Sequence, residues 1–236
     1  MNIEFLNNKT LRVVGFLTVL FANFIAIYVD ANTWGSVFGA IDSVLFFVLF
    51  FILSNEKRKP IFIALFALFV LADLLNLKQG EVCSTIMSGV RIIRHLLVLV
   101  YFFSELSGKK LKRLNRETFF FILIVALLNS YLASGVMYLI KDNLFGKVQY
   151  VFMSIESVLM LFLGFFAAIY GFAVHTKKAN YFMVAMFAFI FSDTFYALAY
   201  YIGLPFLFYV DKLLYLFGFI FLLAGTVTAQ KKVKPV

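Results

Sequence analysis

The chain has 236 residues, of which 64% are hydrophobic and 14% charged, and it carries a formal net charge of +9 at pH 7. A water-soluble domain is excluded, because such domains are about half apolar and about a quarter charged. The single cysteine, Cys83, excludes an intramolecular disulfide and a cysteine-built metal cage.

The 33 phenylalanines, set against 3 prolines and 13 glycines, fall in long unbroken apolar runs. Eight runs can each cross about 30 Å of hydrocarbon at about 1.5 Å per residue. They cover 12–29, 35–54, 60–78, 87–105, 117–140, 148–174, 180–202 and 205–229. The expected fold is all-α: one transmembrane domain, 1–236, built as a polytopic membrane bundle of eight transmembrane helices.

The first run follows Lys9 and Arg12 and lacks a small-residue cleavage site, so it reads as a retained helix and not a removable signal. The second carries Asp42, and the third, "FVLADLLNL", carries Asp73. The loop "KQGEVCSTIMSG" holds Cys83 with no adjacent base to make it a nucleophile. In the fourth run, "GVRIIRHLL", Arg91, Arg94 and His95 stand at i, i+3 and i+4 and share one helical face. The segment "GKKLKRLNRE" reads as a solvated loop. The fifth run contributes Asn129 and Tyr131, and the sixth, "MSIESV", contributes Glu156 between two serines. His175 follows that run beside Lys177 and Lys178, where it suits the negative end of a helix dipole. In the seventh run, Tyr196 and Tyr200 share a face with Asp193, and the eighth run carries Asp211 and Lys212.

Lysine and arginine in short loops are retained on the cytoplasmic side. Fifteen basic residues lie on one side: Lys9, Arg12, Lys57, Arg58, Lys59, Lys109, Lys110, Lys112, Arg113, Arg116, Lys177, Lys178, Lys231, Lys232 and Lys234. Four lie on the other, namely Lys78, Lys141, Lys147 and Lys212. The expectation is that both termini are cytoplasmic in a plasma membrane of the bacterial inner-membrane type. The net charge then serves topology and anionic membrane lipids, and nucleic acid is not an expected partner.

Ionisable residues inside a bilayer are costly unless they face water or a partner. Counted from the outer ends of their runs, Asp42, Asp73, Arg94, His95, Glu156, Asp193 and Asp211 lie roughly 8–14 Å deep. A common depth predicts one polar cavity, with Asn129 near the same level. Mutual pairing that locks the helices together is the competing reading.

The stretch "AMFAFIFSDTFYAL", with Ser192 and Asp193 late in the penultimate helix, resembles the Ser-Asp segment of the YhhN lysoplasmalogenase-like membrane family. "FVLADLLNL" is similar to that family's Gly-Asp segment, with Ala72 in place of the glycine, and His95 and Tyr101 fall where the family has a histidine followed by a tyrosine. The resemblance implies hydrolysis of the vinyl ether bond of a lysoplasmalogen, giving a fatty aldehyde and a glycerophospho head group. It implies Asp73 and Asp193 as the catalytic carboxyls. Arg91 and Arg94, with His95, Tyr196 and Tyr200, would bind the lysophospholipid substrate, while Asp42, Asn129, Glu156, Asp211 and Lys212 border the pocket. One carboxylic acid and one carboxylate suffice for such chemistry, so no metal and no cofactor is expected.

Other hydrolase signatures are missing: the chain has no Gly-x-Ser-x-Gly, no His-Glu-x-x-His and no phosphate-binding glycine loop. The reading left standing beside the enzyme is a membrane transporter that uses the acid layer as a proton or cation relay.

Overall fold

The computed structural model describes residues 9–31, 33–54, 56, 59–78, 80–106 and 114–228, with side chains from Gly15 onward. Among them are eight α-helices and no strand. These are α1 (Lys9–Asp30), α2 (Thr33–Leu53), α3 (Pro60–Asn76), α4 (Glu81–Glu105), α5 (Arg116–Ile140), α6 (Lys147–Val174), α7 (Lys177–Ile202) and α8 (Leu207–Val227). A 3₁₀ turn, Lys141–Asn143, extends α5. The ends follow local chemistry. Asn115 caps α5 by accepting from the Thr118 amide at 2.7 Å, and Thr176 caps α7 through the Ala179 amide at 3.1 Å. Pro60 opens α3, where its missing N–H costs nothing. Gly203 closes α7 at φ +74°, the left-handed region that glycine enters without strain.

Six helices are long and apolar enough to cross a membrane: α2, α4, α5 with its 3₁₀ extension, α6, α7 and α8. The protein is a helical membrane protein. The apolar part of α1, Gly15–Asp30, and α3 are shorter. Several helices reach beyond the apolar runs. α4 begins at Glu81, six residues before its run, because an acidic first turn suits the helix dipole even where hydropathy has ended. Lys57, Arg58, Lys109, Lys110, Lys112, Arg113, Lys231, Lys232 and Lys234, on which orientation rests, lie outside the described residues, as do both chain ends.

α8 packs most extensively against α7 and also touches α1 and α2, while α4 lies between α3 and α6. Phenylalanines fill the seams. Phe46 stacks on Phe219 at 4.9 Å, and Phe50 stacks on Phe66 at 4.7 Å. At one end of the bundle, Glu56 takes Lys178 Nζ at 2.7 Å and Lys59 Nζ at 2.7 Å, tying the α2–α3 turn to the start of α7. Burial pushes the Glu56 carboxyl up, but the two ammonium groups outweigh it and hold the carboxyl below its ordinary value.

Small residues let α7 and α8 approach closely. A Cβ on Gly218 would lie 2.6, 2.8 and 2.9 Å from three atoms of the Phe189 ring. That ring cannot retreat, because Phe69, Tyr215 and Phe219 surround it. Gly218→Ala gains about 1 kcal/mol in helix propensity but overpacks by about 1–3 kcal/mol. The expected net result is a loss of about 1 kcal/mol, read as a lower unfolding midpoint of the purified protein in detergent.

α5 stands apart. Its only buried residues are Ile122 and Ile140. Ile122 packs with Ala168 and Ile169 of α6, and Ile140 with Ala197 and Tyr201 of α7. The helix is thus pinned at both ends and held off the bundle between them.

Candidate functional site

The gap behind α5 is a cavity of about 590 Å³, bounded by α4, α5, α6 and α7. On α5 its lining runs from Phe121 to Ile140, about 28 Å of helix. Its walls are almost wholly apolar, with residues such as Val125, Leu132, Met160 and Ile190. The charged exceptions gather on one wall, where Arg91 of α4 meets Glu156 of α6 and Asp193 of α7, with Ser88 beside them. An apolar cleft of several hundred Å³ with a few converging polar groups is the usual form of a small-molecule site.

The helical face foreseen on α4 builds that wall. Arg94 donates to Asp193 Oδ2 at 2.5 Å and lies over the Phe69 ring at 4.4 Å. Arg94 Nη2 also stands 3.2 Å from His95 Nε2. A guanidinium can only donate, so His95 Nε2 accepts and its proton sits on Nδ1, which has no partner. Arg91 Nη1 lies 3.6 Å from Glu156 Oε1 and 3.7 Å from Asp193 Oδ1. Because one nitrogen sees both oxygens, those oxygens are no more than about 7 Å apart. Arg91 Nε and Glu156 Oε2 make no hydrogen bond although both are buried and both residues line the cavity. An unfilled donor and an unfilled carboxyl oxygen on one wall are what a polar ligand head would complete.

The charged layer divides in two, and the single cavity expected from depth is not what forms. Arg91, Asn129, Glu156, Asp193 and Tyr196 line the cavity, while Arg94 and His95 sit behind Asp193. Tyr200 instead lines a pocket of about 10 Å³, roughly one water in size, with Asn76, Lys78 and Ser84. Met87, Tyr196 and Tyr201 are common to both spaces, and the Tyr196 hydroxyl donates to Asn76 at 2.7 Å. Tyr131 is exposed, on the outward side of α5.

Asp42, Asp73, Asp211 and Lys212 form the other group, away from the cavity lining. Asn23 donates to Asp42 at 2.9 Å, Tyr215 donates to Asp73, and Ser192 donates to Asp211 at 2.5 Å. The division has a simple cause. Consecutive helix residues point about 100° apart, so Ser192 faces α8 while Asp193 faces α4. Asp73 and Asp193 therefore serve different polar groups and do not stand together on the cavity wall.

Sequence reasoning passed over Asn23, Tyr215 and Ser88. Tyr215 had a readable signal, since it stands at i+4 from Asp211 and i+3 from Lys212. Asn23, a lone amide in the first apolar run, had one too. Compared with known protein families, with curated proteins and with solved structures, the chain matches none.

Proposed function

We propose that the protein is a membrane-embedded hydrolase that cleaves the vinyl ether bond of a single-chain phospholipid of the lysoplasmalogen type. In the same reading it spans a bacterial inner (plasma) membrane eight times, with both termini cytoplasmic. The observation that carries the reading is the long apolar cavity with Arg91, Glu156 and Asp193 on one wall. An alkenyl chain fits along about 28 Å of apolar groove, and a guanidinium matches the oxygens of its phosphate.

The carboxyls of Glu156 and Asp193, with facing oxygens no more than about 7 Å apart, are near enough to act on one substrate bond. Glu156 delivers a proton to the vinyl β-carbon, leaving an oxocarbenium ion that the Asp193 carboxylate stabilises. Water reaching the neighbouring carbon by way of the small tyrosine-lined pocket adds to the cation and returns a proton to the Glu156 carboxylate, giving a hemiacetal whose collapse, with its hydroxyl proton passing to the leaving oxygen, releases the fatty aldehyde and the glycerophospho alcohol. Glu156 takes the part that the family resemblance implies for Asp73, because Asp73 is bound to Tyr215 and is not on the cavity wall.

Purified protein incubated with lysoplasmalogen is expected to release aldehyde and free glycerophospho head group; absence of both overturns the reading. Orientation has its own measurement. In a Cys83→Ser background, Lys110→Cys and Asn143→Cys are expected to react with an impermeant thiol reagent from opposite sides of the membrane. Labelling from the same side removes the eight-span topology.

A further inference from the structure

The polar group left unused by that chemistry has unbalanced charge. Asp42, Asp211 and Lys212 are buried, while Asp73 keeps partial exposure. Lys212 is the cation that acts most strongly on each of the three aspartates. The other cation acting on Asp73 and Asp211 is Arg91, already engaged by Glu156 and Asp193. Three carboxyl groups thus share one ammonium in a setting where uncompensated charge is expensive.

The geometry leaves room for a missing partner. Among the described residues, Lys212 Nζ makes no ion pair within 4.0 Å with any of these carboxylates, although its side chain is nine-tenths buried among them. The ammonium is held above Gly39, where a Cβ would stand 2.8 Å away, and 5.2 Å from the centre of the Tyr215 ring. Asn23 is fully buried and gives its amide N–H groups to Asp42 and Val19, yet its Oδ1 has no partner. An unfilled acceptor beside a carboxylate in a charge-deficient group is a seat for positive charge.

We propose that Asn23, Asp42, Asp73, Asp211 and Lys212 form a second site, separate from the cavity, that binds a small monovalent cation, either a hydron or an alkali-metal ion. No three of His, Cys, Asp or Glu converge on one point that could hold a metal ion among the described residues, so an alkali ion would sit at Asn23 Oδ1 and the Asp42 carboxylate, with Asp73 and Asp211 adding charge from further off. Acting on the three aspartates are Asn23 of α1, Ser43 of α2, Arg91 of α4, Ser192 and Asp193 of α7, and Lys212 and Tyr215 of α8. Partly exposed Asp73 is the route in. Bound cation would offset the excess carboxylates, and Lys212, tethered between them, sets how much charge the site takes.

The test is thermal unfolding of the purified full chain in detergent, titrated with NaCl, KCl, LiCl and choline chloride and, separately, with pH. A saturable rise in midpoint with an alkali ion but not with choline identifies the ion; a rise on acidification without alkali preference, with measured proton uptake, identifies the hydron. Glu56 is removed from the pH arm by Glu56→Gln, and its sign is opposite. Its carboxyl is held below the ordinary value, so its stabilisation is present above that value and is lost as pH falls through the depressed one. Asp42→Asn, and Gly39→Ala, which keeps every polar group and only displaces the ammonium, are expected to weaken the response about tenfold in apparent affinity. Glu156→Gln is expected to leave the alkali-ion response as it is in the unmodified protein. A midpoint indifferent to every cation and to pH, or variants at 39 and 42 that respond like the unmodified protein, overturns the site.

Discussion

Arg94→Met is expected to cost about 3–5 kcal/mol of stability, the loss typical of removing one partner from a buried ion pair. Methionine keeps much of the volume that lies over Phe69 but removes the charge that holds Asp193 at 2.5 Å. Asp193 is then left with Arg91 at 3.7 Å, too far for a direct hydrogen bond. The diagnostic comparison is the double variant Arg94→Met/Asp193→Asn, in which no charge is stranded. It is expected to recover most of the loss, and a coupling energy near zero in that cycle would mean the two side chains stabilise the bundle independently. Arg91→Met should be milder, because its contacts are longer and its side chain keeps 12% exposure. Denaturant titration in mixed micelles reads five proteins: the unmodified chain, Arg94→Met, Asp193→Asn, the double variant and Arg91→Met.

Glu156→Gln is expected to lower kcat for lysoplasmalogen by about 10²–10⁴, the range for losing a positioned acid or base, with KM little changed. Glutamine preserves shape, and Arg91 retains Asp193 at 3.7 Å, so the fold should survive. Ala133→Trp provides the contrasting result. Ala133 lines the groove from α5, and an indole there would occupy space meant for the chain, raising KM while leaving Glu156 in place. Equal turnover by Glu156→Gln and the unmodified protein would remove Glu156 from the reaction.

The amino-acid sequence makes the helices readable because long apolar runs leave the backbone no other way to satisfy its hydrogen bonds in lipid. It also discloses the shared face of Arg91, Arg94 and His95, since spacing along one helix is a one-dimensional matter. Depth is similarly one-dimensional. What depth omits is azimuth, the direction in which a residue leaves its helix relative to neighbours not adjacent in sequence. Ser192 and Asp193 illustrate this: they share a level, yet one turns to Asp211 and the other to Arg94. For the same reason the union of Asp73 with Tyr215, 142 residues away, has no trace in local pattern.

The attachment of α5 at two points has a mechanical consequence. With its 3₁₀ extension it runs from Arg116 to Asn143, 28 residues, close to 40 Å of axis against a hydrocarbon layer of about 30 Å. A segment that long meets the bilayer by leaning. The contacts at Ile122 and Ile140 tie its two ends to α6 and α7, so any tilt of α5 is shared with those helices.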